Sequence, residues 1–267
     1  MLENILEQVD RVVEPKDIVG FAIKNEPTTI FDSKIGGIPY FPKDMEYPTC
    51  NGTPMNLLAQ LNFDKIPHLN GYPTTGILQF YIARDEVYGA DFDDMITQKG
   101  YRIIYHKDII TDTSKLIEVQ QDYNDDILPF RQPYLLVPHE VEKMYASDYD
   151  EDFNQVFVEY YNDTVIDEDE MIDSVYDLSD QVIEDEIRGR NNRYYAWIGG
   201  NPIFAQSDPR YLNKYKSYKL LLFELDSIMS KDVYIMWGDS GTGEFFISEE
   251  NLKNLNFSNT MYNWDCC

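Results

Sequence analysis

The segment Gly238-Asp239-Ser240-Gly241 places a serine beside an acid and between two glycines, a setting in which a hydroxyl can act as a nucleophile. That chemistry needs a histidine to take the serine proton and a buried acid to orient the histidine. The three histidines, His68, His106 and His139, stand in Pro-His-Leu, Tyr-His-Lys and Pro-His-Glu, away from the small residues that usually crowd such a base. Thr242 stands where a Gly-x-Ser-x-Gly nucleophile elbow would need glycine. The segment therefore reads as a turn leading into a strand over Glu244 to Ile247.

A second candidate is acidic. Asp148, Asp150, Asp152 and Asn154 alternate, and Glu159 stands at the twelfth position, the ligand spacing of a calcium-binding helix–loop–helix. The sixth position is Phe153, where the sharp turn of that loop needs glycine. Phe153 also opens the stripe Phe153, Val156, Phe157, Tyr160 and Tyr161, which predicts a core-facing helix over the same residues. Helix and loop exclude one another, so a metal at Asp148, Asp150, Asp152 and Glu159 is the weaker expectation.

Other chemistries fall away. Gly238, Gly241 and Gly243 have no lysine after them to hold a phosphate. Scattered histidines without a His-Glu-x-x-His pattern do not make catalytic zinc. Cys50, Cys266 and Cys267 have no Cys-x-x-Cys spacing, which fits a reduced, cytosolic protein. Paired carboxylates for glycoside chemistry cannot be picked from 48 acids. No catalytic residue is assigned and no cofactor is expected.

What must position any site is an internal repeat. Ser33-Lys34-Ile35-Gly36-Gly37-Ile38-Pro39-Tyr40 is echoed by Trp197-Ile198-Gly199-Gly200-Asn201-Pro202. The apolar runs Leu57 to Asp64 and Leu220 to Asp226 follow, with Asp64 28 residues after Gly36 and Asp226 27 residues after Gly199. Gly76 to Ile82 and Gly241 to Ile247 complete the blocks. Three blocks in one order describe a fold before they describe a function. Each half reads as a Gly-Gly turn, a core strand and a glycine-led second strand. A cleft between such halves is a natural ligand site; Gln60, Gln79, Trp237, Asp239 and Glu244 are its polar and aromatic candidates, because they fall in or beside the blocks.

The resulting plan is an α+β protein, sheet-rich and mainly antiparallel, in one domain over 1–267. Half one spans about 18–137, an acidic helical connector about 138–190, and half two about 191–267. An amphipathic helix from Leu2 must end before Pro15. Tyr101 to Tyr105 and Leu116 to Val119 read as strands, and Asp122 to Asp126 as a turn between strands. Tyr134 to Val137, held between Pro133 and Pro138, reads as an edge strand or a strand end. A helix over Ser174 to Ile187 and a short Ser248-capped helix over Glu249 to Leu255 follow. The apolar tail Trp264 to Cys267 tucks against the core.

Charge bounds the partners. The chain of 267 residues carries 48 acids against 22 bases, a net −26. Between Lys143 and Arg188 there is no basic residue and there are 16 acids. Nucleic acid and anionic membrane are disfavoured, because both are captured by Lys and Arg. No run reaches the ~18–20 apolar residues of a membrane span, and the amino terminus lacks a secretory pattern. A basic protein is the expected partner, and a non-catalytic binding role the leading expectation. The 21 tyrosines suit contact surfaces.

The repeat blocks, together with Leu58-Ala59-Gln60-Leu61-Asn62, Met236-Trp237-Gly238-Asp239-Ser240-Gly241 and the terminal cysteine pair, resemble the YwqG-like family of uncharacterised bacterial proteins. The likeness runs from about Ile18 to the end. It implies a stand-alone bacterial cytosolic protein with a mixed, sheet-rich fold, and it implies no activity.

Overall fold

A computed structural model describes residues 1–123 and 127–267; the expected turn at Asp122 to Asp126 therefore lies partly outside the described residues. The chain divides into two compact units. The smaller gathers Met1–Ile18, Glu142–Arg193 and Gly199–Ile203; the larger gathers Val19–Val141, Tyr194–Ile198 and Phe204–Cys267.

Eleven strands form one sheet: β1 (Lys16–Lys24), β2 (Lys34–Ile35), β3 (Asn56–Asn62), β4 (Ile77–Ile82), β5 (Tyr101–His106), β6 (Tyr134–Pro138), β7 (Glu142–Met144), β8 (Ala196–Gly199), β9 (Leu220–Asp226), β10 (Thr242–Ile247) and β11 (Thr260–Asp265). Their order is β11-β10-β9-β8-β1-β6-β2-β3-β4-β5, with β7 off this path beside β1. The expected sheet-rich, antiparallel architecture is what forms. Runs such as Asn56–Asn62 and Ile77–Ile82 are buried along their whole length, as strands covered on both faces must be.

In the larger unit the sheet curls into a nearly closed barrel. Phe80 meets Phe223 at 5.1 Å and Phe245 at 4.9 Å between ring centroids, and Phe245 stacks on Tyr262 at 4.5 Å. Each ring removed from water stabilises the fold by about 1.5–3 kcal/mol. At the ends of the path, the Tyr101 hydroxyl donates to the Thr260 carbonyl at 2.7 Å, and the Tyr262 N–H donates to the Met95 carbonyl at 2.9 Å.

One expectation is met and one corrected in this unit. Of the two readings for Tyr134 to Val137, an edge strand or a strand end, the second holds: Tyr134–Pro138 sits mid-sheet between β1 and β2. The prolines are tolerated because Pro133 precedes the strand and Pro138 is its last residue, opposite Phe21. Leu116 to Val119 forms no strand. Leu116 makes one isolated bridge to Pro42, and the Ile117 N–H donates to the Phe41 carbonyl at 2.9 Å.

The smaller unit has its own core. Helix α1 (Leu2–Val12) buries Ile5, Leu6 and Val9 on one face and stops before Pro15, as expected. Helix α2 (Glu151–Thr164) starts on Asp150, whose side chain accepts from the Phe153 N–H at 3.1 Å, and buries Phe153 and Phe157. Ala146, Ile172, Val175, Ile183 and Ile187 complete the cluster. The expected continuous helix from Ser174 to Ile187 is broken into a 3-10 turn (Val175–Asp177), a short α-turn (Asp180–Val182), a π-turn (Ile183–Ile187) and a last 3-10 turn (Arg188–Arg190). Ser174 and Ser179 each cap a new turn, and such side-chain bonds compete with helix continuation.

Candidate functional site

Strand pairing brings Gln60 and Gln79 directly opposite one another, with Lys34 opposite Gln60 on the next strand. The segment between β2 and β3 covers them. The Gln60 Oε1 accepts from the Tyr40 N–H at 2.9 Å and the Gln79 Nε2 at 2.8 Å, while its Nε2 donates to the Ile30 and Asp32 carbonyls at 2.9 Å. The Gln79 Nε2 also donates to the Tyr40 carbonyl at 2.6 Å, and its Oε1 accepts from the Tyr81 hydroxyl at 3.1 Å. The His106 Nε2 lies 2.9 Å from that Oε1. Burial lowers the His106 pKa to about 4, so the ring is neutral at pH 7 and its Nε2 is the donor.

Lys34 completes this layer. Its Nζ donates to the Thr29 and Ile38 carbonyls, each at 2.6 Å. Burial lowers its pKa to about 7, partly opposed by the charge of Asp32. Asp32 itself is held at about 2: burial raises it, but bonds from Thr29 and Lys65 outweigh that. Both glutamines are fully buried and both ends of each amide are bonded, so they clamp the Gly36–Gly37 turn to the sheet.

Glu244 lies on β10, directly opposite Glu224 of β9. Both are fully buried. The Glu244 Oε2 accepts from the Asn263 Nδ2 at 2.9 Å, and its Oε1 has no partner among the described residues. Burial first, then the nearby Glu224 and Asp265, push the Glu244 carboxyl well above its ordinary range, which favours its protonated form. Trp237 lies inside the barrel against Tyr88 (5.3 Å) and Trp264 (6.3 Å) and packs on Gly243, where a Cβ would stand 2.5 Å from the indole. Asp239 is exposed in the turn after it. The five candidates therefore do not converge: two form one clamp, and the other three are separate. Beside Asp239, the Ser240 hydroxyl meets the Met236 sulfur at 4.0 Å.

The acidic candidates are also placed. The buried Asp148 takes Arg188 with both oxygens, at 2.9 and 2.5 Å. Asp150 caps α2, and Asp152 and Glu159 lie within that helix. The helix thus occupies the residues that a calcium loop would need, and among the described residues no group of three or more metal-binding side chains gathers.

A cleft does open in the larger unit, at residues the sequence reading passed over. It has a volume of about 630 Å³ and is lined by Tyr72, Tyr105, Lys107, Leu220, Lys253 and Leu255, among others. It lies where β5 approaches α3 (Glu249–Lys253). A smaller hollow of about 290 Å³, lined by Arg102 and Phe257, shares Tyr105 and Leu255 with it. A signal was present: Gly71 and the Pro73-Thr74-Thr75-Gly76 run mark the turn that forms one wall.

The sequence model of one family, a domain of unknown function designated DUF1963, matches residues 33–266. The chain belongs to the DUF1963 family. A search of curated proteins returned no match. In this DUF1963 protein the matched span includes the Gln60–Gln79 clamp, the Glu224–Glu244 rung and the cleft. Among the described residues, no helix is long and apolar enough to cross a membrane.

Proposed function

We propose that this DUF1963 protein is a non-catalytic binding protein whose smaller unit engages a basic protein partner. One observation carries the reading. The smaller unit holds 22 acidic and six basic residues, so −16 of the chain's −26 rides on a body with an apolar core of its own. Within it, Ile166 is 100 % exposed at one end of Asp167-Glu168-Asp169-Glu170 and Met171 is exposed at the other, with Tyr176 exposed nearby. Acids around exposed apolar anchors can steer a basic partner, raising its association rate by ~10–10³-fold, and then hold it. The cytosol is the compartment that this reading requires.

The same proposal covers the architecture. Strands β2-β3-β4-β5 and β8-β9-β10-β11 are two copies of one unit flanking β1 and β6, and the chain is a YwqG-like member of its family. Matched registers support this: Gln60 opposes Gln79 as Glu224 opposes Glu244, and the pairing slips between Leu57 and Ala59 as it does between Leu221 and Phe223. Gly36, Gly37, Gly199 and Gly200 all take positive φ.

The test is capture from lysate by immobilised protein at low and high salt, followed by binding of the recovered partner to the wild type and to a variant with Asp167→Lys, Glu168→Lys and Ile166→Ala. A basic protein that is lost at high salt and bound weakly by the variant is the expected result. Screening reaches ~8 Å at physiological salt, so binding indifferent to both salt and the variant would defeat the reading.

A further inference from the structure

Alternation along β5 leaves half of its backbone groups turned away from β4. The Ala83 N–H donates to the Gly100 carbonyl at 2.7 Å, which fixes the phase of the β4–β5 ladder. Arg102, Ile104 and His106, opposite Tyr81, Gln79 and Ile77, then bond to β4. Tyr101, Ile103 and Tyr105 turn their backbone groups the other way, toward the seam between β5 and the stretch leading into β11.

The protein's own chain fills one end of that seam. The Met95 carbonyl accepts from the Tyr262 N–H, and the Gln98 side chain accepts from the Ile103 N–H at 3.2 Å while donating to the Phe257 carbonyl and the Thr260 hydroxyl at 2.9 Å. Beyond Gln98 the seam widens into the cleft. There the Tyr105 N–H and the Ile103 and Tyr105 carbonyls have no hydrogen-bond partner among the described residues.

The charge of the cleft is opposite to that of the chain. Lys107 and Lys253 line it, Arg102 lines the adjoining hollow, and none of the three has an ion-pair partner among the described residues; Glu249 is the single acid among the lining residues of both. Asp64 and Asp108 stand near Tyr105, but the Asp64 carboxylate already accepts from the Gly76 N–H at 2.8 Å. On a chain with 48 acids and 22 bases, three cations to one acid is a local inversion. Tyr105 and Phe257, 5.2 Å apart, and Leu255 add an apolar floor.

We propose that this seam is a strand-addition site for an extended acidic peptide of a partner protein, which continues the sheet beyond β5 through the Ile103 and Tyr105 backbone groups while its carboxylates meet Arg102, Lys107 and Lys253. Such sites take affinity from main-chain bonds and selectivity from side-chain neighbours. The proposal is independent of the acidic unit, whose expected partner has the opposite charge.

The experiment titrates the full-length, isotope-labelled protein with a capped hexapeptide of alternating Glu and Val, and separately with its Lys-Val counterpart and inorganic phosphate. The Glu-Val peptide is expected to shift the Tyr105 amide signal and slow its hydrogen exchange. A Lys107→Glu, Lys253→Glu variant is expected to bind it at least about tenfold more weakly while keeping the other amide signals in place. The inference is overturned if the Tyr105 amide does not respond, or if the Lys-Val peptide binds equally well. It is also overturned if phosphate alone reproduces the shifts, which would make the cleft a small-anion site.

Discussion

Replacing Glu244 by glutamine tests the buried acidic rung directly. In the unfolded chain this carboxyl titrates near 4.5; in the fold, burial and the facing Glu224 keep it protonated well above that. Above pH 4.5 the native state therefore binds more protons than the unfolded state, and stability falls as pH rises. The slope is about 1.4 kcal/mol per pH unit for one group. From 4.5 to 7 the loss reaches a ceiling of about 3 kcal/mol. Glutamine carries no such cost, and its oxygen can still accept from the Asn263 Nδ2. Urea unfolding of both proteins across pH 4.5–8 should show equal stability at the acid end and a growing advantage for Glu244→Gln toward neutrality, up to about 3 kcal/mol. A difference that does not change with pH, or a variant less stable than the wild type at pH 7, would refute the reasoning.

Lys34 works in the opposite direction. Its folded pKa of about 7 lies below its ordinary 10.5, so the unfolded state binds more protons between those values and wild-type stability should climb through that window. Lys34→Met should remove the climb, as read by urea unfolding from pH 7 to 10. Gly76 sits at φ +85° with the His106 carbonyl 2.5 Å from where a Cβ would stand, so Gly76→Ala should lower the unfolding free energy by at least about 2 kcal/mol, seen as a lower urea midpoint with an unchanged slope. Asp148→Asn leaves Arg188 without its buried carboxylate; because Arg188 reaches solvent, the cost should be about 2–3 kcal/mol, seen as faster amide exchange across residues 151–164. Millimolar calcium should leave the melting temperature of the wild type unchanged, since Asp148 and Asp150 already have protein partners.

Strands were legible wherever local pattern and tertiary position agreed. Leu57 to Asn62 and Ile77 to Ile82 are apolar enough to be buried on both faces, and they are. For Tyr134–Pro138 the bracketing prolines signal an edge or a strand end, and only its pairing with both β1 and β2 decides for the strand end. The helix over 174–187 misled because its apolar spacing ignores Ser174 and Ser179, whose hydroxyls start new turns. Gln60 and Gln79 stand out in the sequence as polar residues within apolar runs, but no sequence feature shows that both amides are saturated by the Tyr40 and Ile30 backbone. The cleft was missed for another reason. Lys107 and Lys253 are 146 residues apart in sequence, and only the curling of the sheet brings them to one wall.

The place of β1 bears on how the protein is made. Its residues leave the ribosome well before those of β6, yet the strand belongs in the middle of the sheet, and Phe21 must wait for Pro138. At ~5–20 residues per second, that delay is roughly 6–23 s. Through this interval β3 and β4 can pair as a hairpin, while β1 keeps an open, apolar edge of the kind that invites pairing with the wrong chain. Barrel closure waits longer still, because Thr260 and Tyr262 emerge well after Pro138 to meet Tyr101 and Met95. Slow synthesis past residue 138 should therefore raise the soluble yield more than slow synthesis before it.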